Sequence, residues 1–225
     1  MILEPFFAIM SRYVITEKGF FMEIELKFSV PDEETRQAIW EDELFELCEE
    51  KDSREELFFH ARYYDTEDGD LAKNGIAYRV RMEGDTPVAT LKCKGNSEEG
   101  LHQREEINIP ASGPEPDPEL FGECSLGNTF IELIKGKELK CCVETKINRK
   151  SFRIDTGDGI FEFSLDEGEV ITEKGSIPIS ELEIELYSGD TEELLRVGDK
   201  VQKKFGLETE DKSKYAKGME MIEGR

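Results

Sequence analysis

Several short stretches of the chain place charged side chains at every second position. Glu23, Glu25 and Lys27 alternate with Ile24, Leu26 and Phe28, and Arg79 and Arg81 alternate with Tyr78 and Val80. Lys92 and Lys94 share a row with Thr90, against Ala89 and Leu91. Arg104 pairs with Glu106 in the same way, Glu162 and Ser164 with Asp166, and Glu181, Glu183 and Glu185 oppose Leu182, Ile184 and Leu186. Successive side chains of an extended chain point to opposite faces, so each charged set lies on one side of its strand. Any one of these strands would suit an ordinary sheet with one wet face. Sorting by sign calls for more, because whole strands are acidic and others wholly basic. Two like charges about 4 Å apart repel by roughly 4 kcal/mol at an effective dielectric of about 20. Enclosed arginines and lysines therefore need an anion among them, and clustered carboxylates need cations. Metal ions together with a polyphosphate satisfy both sets.

The elements that must position these rows follow from the same period of two. Strands are expected at Glu23–Val30, Leu57–Asp65, Ile76–Glu83, Val88–Lys94, Leu101–Ile109, Lys140–Asn148, Ser151–Asp155, Phe161–Glu167 and Glu181–Tyr187. Helices are expected from Asp32 to about Cys48, from about Glu119 to Ile134, and from Thr191 to about Phe205, the last capped by Ser188-Gly189-Asp190. Pro110 to Pro118 reads as a loop. Strands dominate and no βαβ alternation appears, so the fold class is α+β, an antiparallel β-barrel. Its polar, charged residues would face the lumen, with helices packed outside on its apolar face. Gathering the basic side chains inside would leave a positive tunnel within an acidic surface.

Composition narrows the partners. With 225 residues, the chain suits one domain with appendages. A net charge of −23 repels nucleic acid and anionic membrane, so neither is expected as a partner. No apolar run approaches the roughly 20 residues of a membrane span. The five cysteines, Cys48, Cys93, Cys124, Cys141 and Cys142, have neither CxxC nor Cys/His spacing. They read as reduced thiols of a cytoplasmic protein. His60, His102 and Trp40 are expected to be structural. Residues 1–21 read as an N-terminal extension, 22–219 as one domain and 220–225 as a tail.

In order along the chain, the charged rows belong to a recurring set of motifs. They are Glu23-Ile24-Glu25-Leu26-Lys27, Tyr64-Asp65-Thr66, Tyr78-Arg79-Val80-Arg81, Thr90-Leu91-Lys92 and Gly100-Leu101-His102-Gln103-Arg104-Glu105-Glu106. Then come Leu165-Asp166-Glu167-Gly168, Glu181-Leu182-Glu183-Ile184-Glu185-Leu186 and Lys212-Ser213-Lys214-Tyr215. Over about Met22 to Gly218 the chain resembles the CYTH, or triphosphate tunnel metalloenzyme, superfamily, and looks most like its bacterial inorganic triphosphatase branch. The helical CHAD module that often follows this branch is not in the sequence.

The resemblance implies an eight-stranded tunnel, Mg2+ or Mn2+ as cofactor, and a triphosphate or polyphosphate substrate. It implies Glu23, Glu25, Glu183 and Glu185 as metal ligands, with Asp166 a further candidate. Lys27, Arg79, Arg81, Lys92, Arg104 and Arg149 look like phosphate binders. Glu106 and Glu162 would be supporting carboxylates, Lys94 and Glu181 would sit at the tunnel mouth, and Lys212 or Lys214 would close the site. The reaction implied is hydrolysis of inorganic tripolyphosphate. Alternatives are a class IV adenylate cyclase, a thiamine triphosphatase, and a polyphosphate-binding module without turnover.

Overall fold

The computed structural model describes residues 21–224 apart from Lys94. The N-terminal extension and the placement of Lys94 thus lie outside the described residues. The elements run β1 (Phe21–Ser29), α1 (Glu33–Trp40), α2 (Glu43–Glu46), β2 (Glu55–Thr66), α3 (Asp70–Lys73), β3 (Ile76–Glu83), β4 (Thr86–Cys93), β5 (Asn96–Glu98) and β6 (Leu101–Pro110). A 3-10 turn (Pro118–Phe121) and α4 (Ser125–Ile134) lead to β7 (Leu139–Asp155), β8 (Ile160–Thr172) and β9 (Gly175–Ser188). The chain ends with α5 (Thr191–Phe205), β10 (Glu208–Thr209) and α6 (Lys214–Glu223).

Eight strands close into an antiparallel barrel in the order β1-β9-β8-β7-β2-β3-β4-β6, with β5 and β10 hydrogen-bonded beside it. Closure falls on β1. Its first half pairs with β6 from Phe21 to Leu26, and its second half pairs with β9 from Glu25 to Ser29. Glu25 and Leu26 are held from both sides, which sets the register of the charged rows around the seam.

The barrel is apolar on its outside, as the alternation predicts. Leu26, Phe28, Phe163, Leu182 and Ile184 form one core with Ile39 and Phe45 from the first helices and Leu194, Val197 and Val201 from α5. Tyr78, Val80, Leu91 and Ile107 form a second with Phe121, Phe130 and Ile134. The helix expected from Asp32 to Cys48 is interrupted after Trp40, which lets Ile39 and Phe45 reach the same core. The one expected from Glu119 divides into the 3-10 turn and α4. The two segments 140–148 and 151–155 are one continuous strand, β7, with Arg149 in its middle.

α6 departs most from the sequence reading, which left 220–225 as a tail. Ser213 Oγ accepts a hydrogen bond from Ala216 N at 3.1 Å and so caps the helix. Tyr215, Met219 and Ile222 then fall on one face and pack with Phe59, Ala61, Tyr63, Val143, Ile147, Val170 and Ile179. Those strand residues share the inward parity of the charged rows. One part of the barrel interior is therefore apolar and is filled by this helix, not covered from outside.

Gly168 shows how tightly the wall is drawn. A Cβ there would sit 1.9 Å from the Lys146 carbonyl oxygen of the neighbouring strand β7. Gly168→Ala is expected to cost about 1–3 kcal/mol, the usual range for overpacking. Denaturant unfolding at equilibrium would check this, and an unchanged midpoint would contradict it.

Candidate functional site

The inward rows meet in one cavity of about 500 Å³. Glu23, Glu25 and Lys27 enter from β1, Arg79 and Arg81 from β3, Lys92 from β4, and Arg104 and Glu106 from β6. Arg149 comes from β7, Glu162 and Asp166 from β8, Glu183 and Glu185 from β9, and Lys214 from α6. The structure thus brings together nearly all the residues singled out above. Lys212 is the exception. It lies just before the Ser213 cap, is exposed, and pairs with Glu220 at 2.8 Å, while Lys214, two residues later, points inward. Glu181 is not at an open mouth but fully buried, held by Lys214 at 2.8 Å and Lys217 at 2.6 Å.

Most of these charges are paired. Lys27, 1% exposed, lies 3.0 Å from Glu183 and 3.4 Å from Glu25. Arg149 grips Asp166 with two parallel hydrogen bonds of 2.6 and 2.7 Å and also reaches Glu183. Lys214 is 2.8 Å from each of Asp166, Glu181 and Glu183. Along the β4-β6-β1 side of the barrel Lys92 holds Glu23 at 3.0 Å and also Glu106, while Arg104 holds Glu23 and, at 3.1 Å, Glu25. Arg79 donates to Thr90 at 3.2 Å, Thr90 to Asn108 at 2.6 Å, and Asn108 to Glu106 at 2.6 Å. The expectation of a positive tunnel is therefore corrected, because acidic and basic side chains are closely matched in the lining. Burial explains this: an uncompensated ion in the interior costs several kcal/mol.

The protonation states follow the pairing. Burial alone would raise the Glu23 and Glu183 carboxyls. Arg104 and Lys92 hold Glu23 well below the usual range, and Lys214, Lys27 and Arg149 do so for Glu183. Against the same effect of burial, Lys214 and Lys27 bring Glu181 down to about 2. Burial would lower Lys27 and Lys214, but their carboxylates raise both.

Glu185 behaves oppositely. Sheet register sets Glu185 directly between Glu25 on β1 and Glu162 on β8, so three carboxylates stand side by side on one wall. Like charges directly opposite on paired strands destabilise the sheet. Burial, then repulsion from Glu23, Glu162, Glu25 and Glu106, pushes the Glu185 carboxyl well above its ordinary value. Among the described residues no ion pair reaches Glu185, and Glu162 accepts one hydrogen bond, from the Tyr187 hydroxyl at 3.2 Å. Glu25 has Arg104 and Lys27 beside it, but Glu185 and Glu162 have no ion-paired cation among the described residues, so the row is an all-oxygen donor set of the kind that suits a hard divalent cation. Among the described residues, no three carboxylate, imidazole or thiol groups are drawn into a finished cage. The five carboxylates expected as ligands divide: Glu23, Glu25 and Glu185 gather with Glu162, whereas Asp166 and Glu183 are taken by Arg149 and Lys214. No single-strand pattern could show that division, since it depends on which rows lie next to each other.

Sequence reasoning missed the inward row of β2, Phe59, Ala61 and Tyr63, because apolar residues alternate there without charge. It also missed α6, although the spacing of Tyr215, Met219 and Ile222 after Ser213 was a readable signal. His102 lines the cavity, with Nε2 2.8 Å from the Glu210 carbonyl oxygen.

An antiparallel barrel with opposed acidic and basic walls defines a tunnel-type protein, and its sequence agrees. The CYTH domain model matches residues 22–218, and the chain belongs to that family. An inorganic triphosphatase of Haemophilus influenzae is 32% identical over 139 residues, 61% of this chain and 38% of that protein. The chain thus spans well under half the length of that relative. A candidate adenylyl cyclase from Hippeastrum, described as having a dominant triphosphatase activity, superposes with a TM-score of 0.67 at 23% identity, covering 91% of this chain and 97% of its own. A candidate adenylate cyclase from Bacillus halodurans gives 0.58 at 21%, covering 87% and 95%. At these identities the two structures share the fold. Among the described residues no helix is long and apolar enough to cross a membrane.

If Glu185 is held against its like-charged neighbours, relieving it should stabilise the fold. Glu185→Gln is expected to raise the melting temperature in EDTA by about 2–4 °C, what about 1 kcal/mol yields for a domain of this size. Asp166→Asn, which strips Arg149 and Lys214 of a partner, should lose about 3 kcal/mol. Calorimetry of the two variants checks both signs, and a lower melting temperature for Glu185→Gln would show that its charge is compensated.

Proposed function

We propose that the chain is a divalent-metal-dependent triphosphatase that hydrolyses inorganic tripolyphosphate to pyrophosphate and phosphate. The observation that carries the reading is the row of Glu25, Glu185 and Glu162, in which Glu185 has no ion-pair partner among the described residues, in one cavity with Arg79, Arg81, Lys92 and Arg104. In a lumen already balanced, a polyanion would add uncompensated charge unless cations came with it. The names of the relatives, an inorganic triphosphatase and a protein with dominant triphosphatase activity, support the same direction.

In this reading Glu23, Glu25, Glu162 and Glu185 hold the cation, Mg2+ or Mn2+. When bound, such an ion neutralises phosphate charge and makes water a better nucleophile. Arg79, Arg81, Lys92 and Arg104 bind the phosphate chain and fix it in the lumen. As charge moves toward the leaving pyrophosphate, their N–H donors and those of Arg149 stabilise the oxygens that receive it. Lys214 closes the site from α6, and Lys27 keeps Glu183 ionised and in place. The five cysteines, free of disulfides, support a reducing, cytoplasmic setting.

The apolar stretch of the lining, Phe59, Ala61, Tyr63 and Ile147 with Tyr215 and Met219, favours a second reading in which an organic triphosphate is accepted. Incubation with tripolyphosphate, ATP and thiamine triphosphate separates the two. Phosphate release from tripolyphosphate with Mg2+ or Mn2+ is expected, and its complete loss in EDTA. Cyclic AMP as the main product from ATP would overturn the substrate, and full turnover in EDTA would overturn the metal. Glu25→Ala is expected to lose at least a hundredfold in kcat while still folding, since it removes a member of the cation-holding row. Unfolding of that variant would assign Glu25 a structural role instead.

A further inference from the structure

β2 contributes a row unlike its neighbours: Phe59, Ala61 and Tyr63 face the cavity without a charge among them. The strands on either side carry arginines. Phe59 pairs in register with Glu83 of β3 and with Ile147 of β7. Arg81 lies two positions before Glu83, and Arg149 lies two after Ile147, so both reach the Phe59 ring diagonally from opposite sides. The Arg81 guanidinium carbon is 4.5 Å from the ring centroid and that of Arg149 is 5.3 Å away. Arg79, paired directly in register with Tyr63, has its guanidinium carbon 5.9 Å from that ring.

We propose that Phe59 is a positioning residue that holds the Arg81 and Arg149 guanidinium groups for the phosphate chain, an inference that rests on the triphosphate reading above. An aromatic face attracts a guanidinium through its quadrupole and accepts no conventional hydrogen bond. It therefore orients the cation while leaving N–H donors for phosphate oxygens. A carboxylate in the same place would occupy more of those donors, as Asp166 and Glu183 already do for Arg149 and Glu83 does for Arg81 Nε and Nη2. The ring stands between the two like charges, each of which is also paired to a carboxylate, Arg81 to Glu83 and Arg149 to Asp166 and Glu183. Its neighbour Ala61 is small, which leaves room in the lumen beside the ring.

The test separates positioning from packing, since Phe59 also belongs to the apolar cluster with Tyr63 and Ile147. Phe59→Leu keeps an apolar side chain and Phe59→Tyr keeps the ring. With Mn2+ and tripolyphosphate, Phe59→Leu is expected to lose about tenfold in kcat/KM, mainly through KM, because the arginines grip ground and transition states alike. Phe59→Tyr should stay within about twofold of wild type. In an Arg81→Gln background, the effect of Phe59→Leu should shrink to about threefold, since one of its two clients is gone. Unchanged kcat/KM in Phe59→Leu, an equal loss in Phe59→Tyr, or effects that simply multiply with Arg81→Gln would each overturn the proposal. Melting temperatures of all variants identify any loss that comes from unfolding. Calorimetric titration of tripolyphosphate in the presence of Mn2+ gives the second arm. If wild type binds but does not hydrolyse, the triphosphatase reading fails while the same tenfold weakening in Phe59→Leu still sustains the positioning role. If wild type neither binds nor hydrolyses, both fall.

Discussion

Charge enclosed by protein has to be matched, because each ion taken out of water without a partner costs several kcal/mol. The barrel meets that condition almost everywhere by setting acidic and basic rows from different strands against each other. Lys27 sits on Glu183, Arg149 on Asp166, and Lys92 and Arg104 on Glu23. The matching is thinnest around Glu185. Where β1, β9 and β8 run side by side, their register lines up Glu25, Glu185 and Glu162. A sheet held only by its own interactions gains nothing from three adjacent carboxylates. In the proposed triphosphatase these carboxylates hold a cation, and the paired remainder of the lumen would admit a phosphate chain together with such cations.

The rest of the architecture follows from placing charge inside. A barrel with a polar lumen has its apolar face outward, and that face needs cover. The first helices and α5 supply it on one side, α4 and the 3-10 turn on another. Between the arginines of β3 and β7 stands the aromatic row of β2, with the Phe59 ring against both Arg81 and Arg149, while Glu83 and Asp166 pair with them. The last helix adds both an apolar face toward Tyr63 and Val143 and a lysine toward the acidic row of β8 and β9.

How much of this the sequence shows depends on the distance over which each feature is encoded. Alternation is local, so the strands around Glu23, Arg79, Arg104 and Glu183 and the sidedness of their charges are legible from neighbours two residues apart. α5 is legible for the same reason, with its cap and its apolar face in one segment. The partnership of rows is not local. Nothing near Glu185 in the chain says that Glu25 and Glu162 stand beside it, or that Asp166 and Glu183 are claimed by Arg149 and Lys214. The expectation of a positive tunnel departs from the structure on this point, since the sequence shows both acidic and basic rows but not that they pair with each other. Lys212 and Lys214 look equivalent in sequence, and only the cap at Ser213 decides which enters the lumen. Phe59 carried no signal, because an aromatic residue among apolar neighbours reads as core until the arginines on the adjoining strands are seen.

The central claim is that the balanced lumen takes up a phosphate chain only together with divalent cations. Calorimetric titration of tripolyphosphate into the chain, with Mn2+ present and again with EDTA, tests it most directly. Tight binding with Mn2+, accompanied by uptake of metal, and at least a hundredfold weaker binding in EDTA is the result expected. Equal affinity under both conditions would contradict it, for the basic wall alone would then suffice to hold the anion.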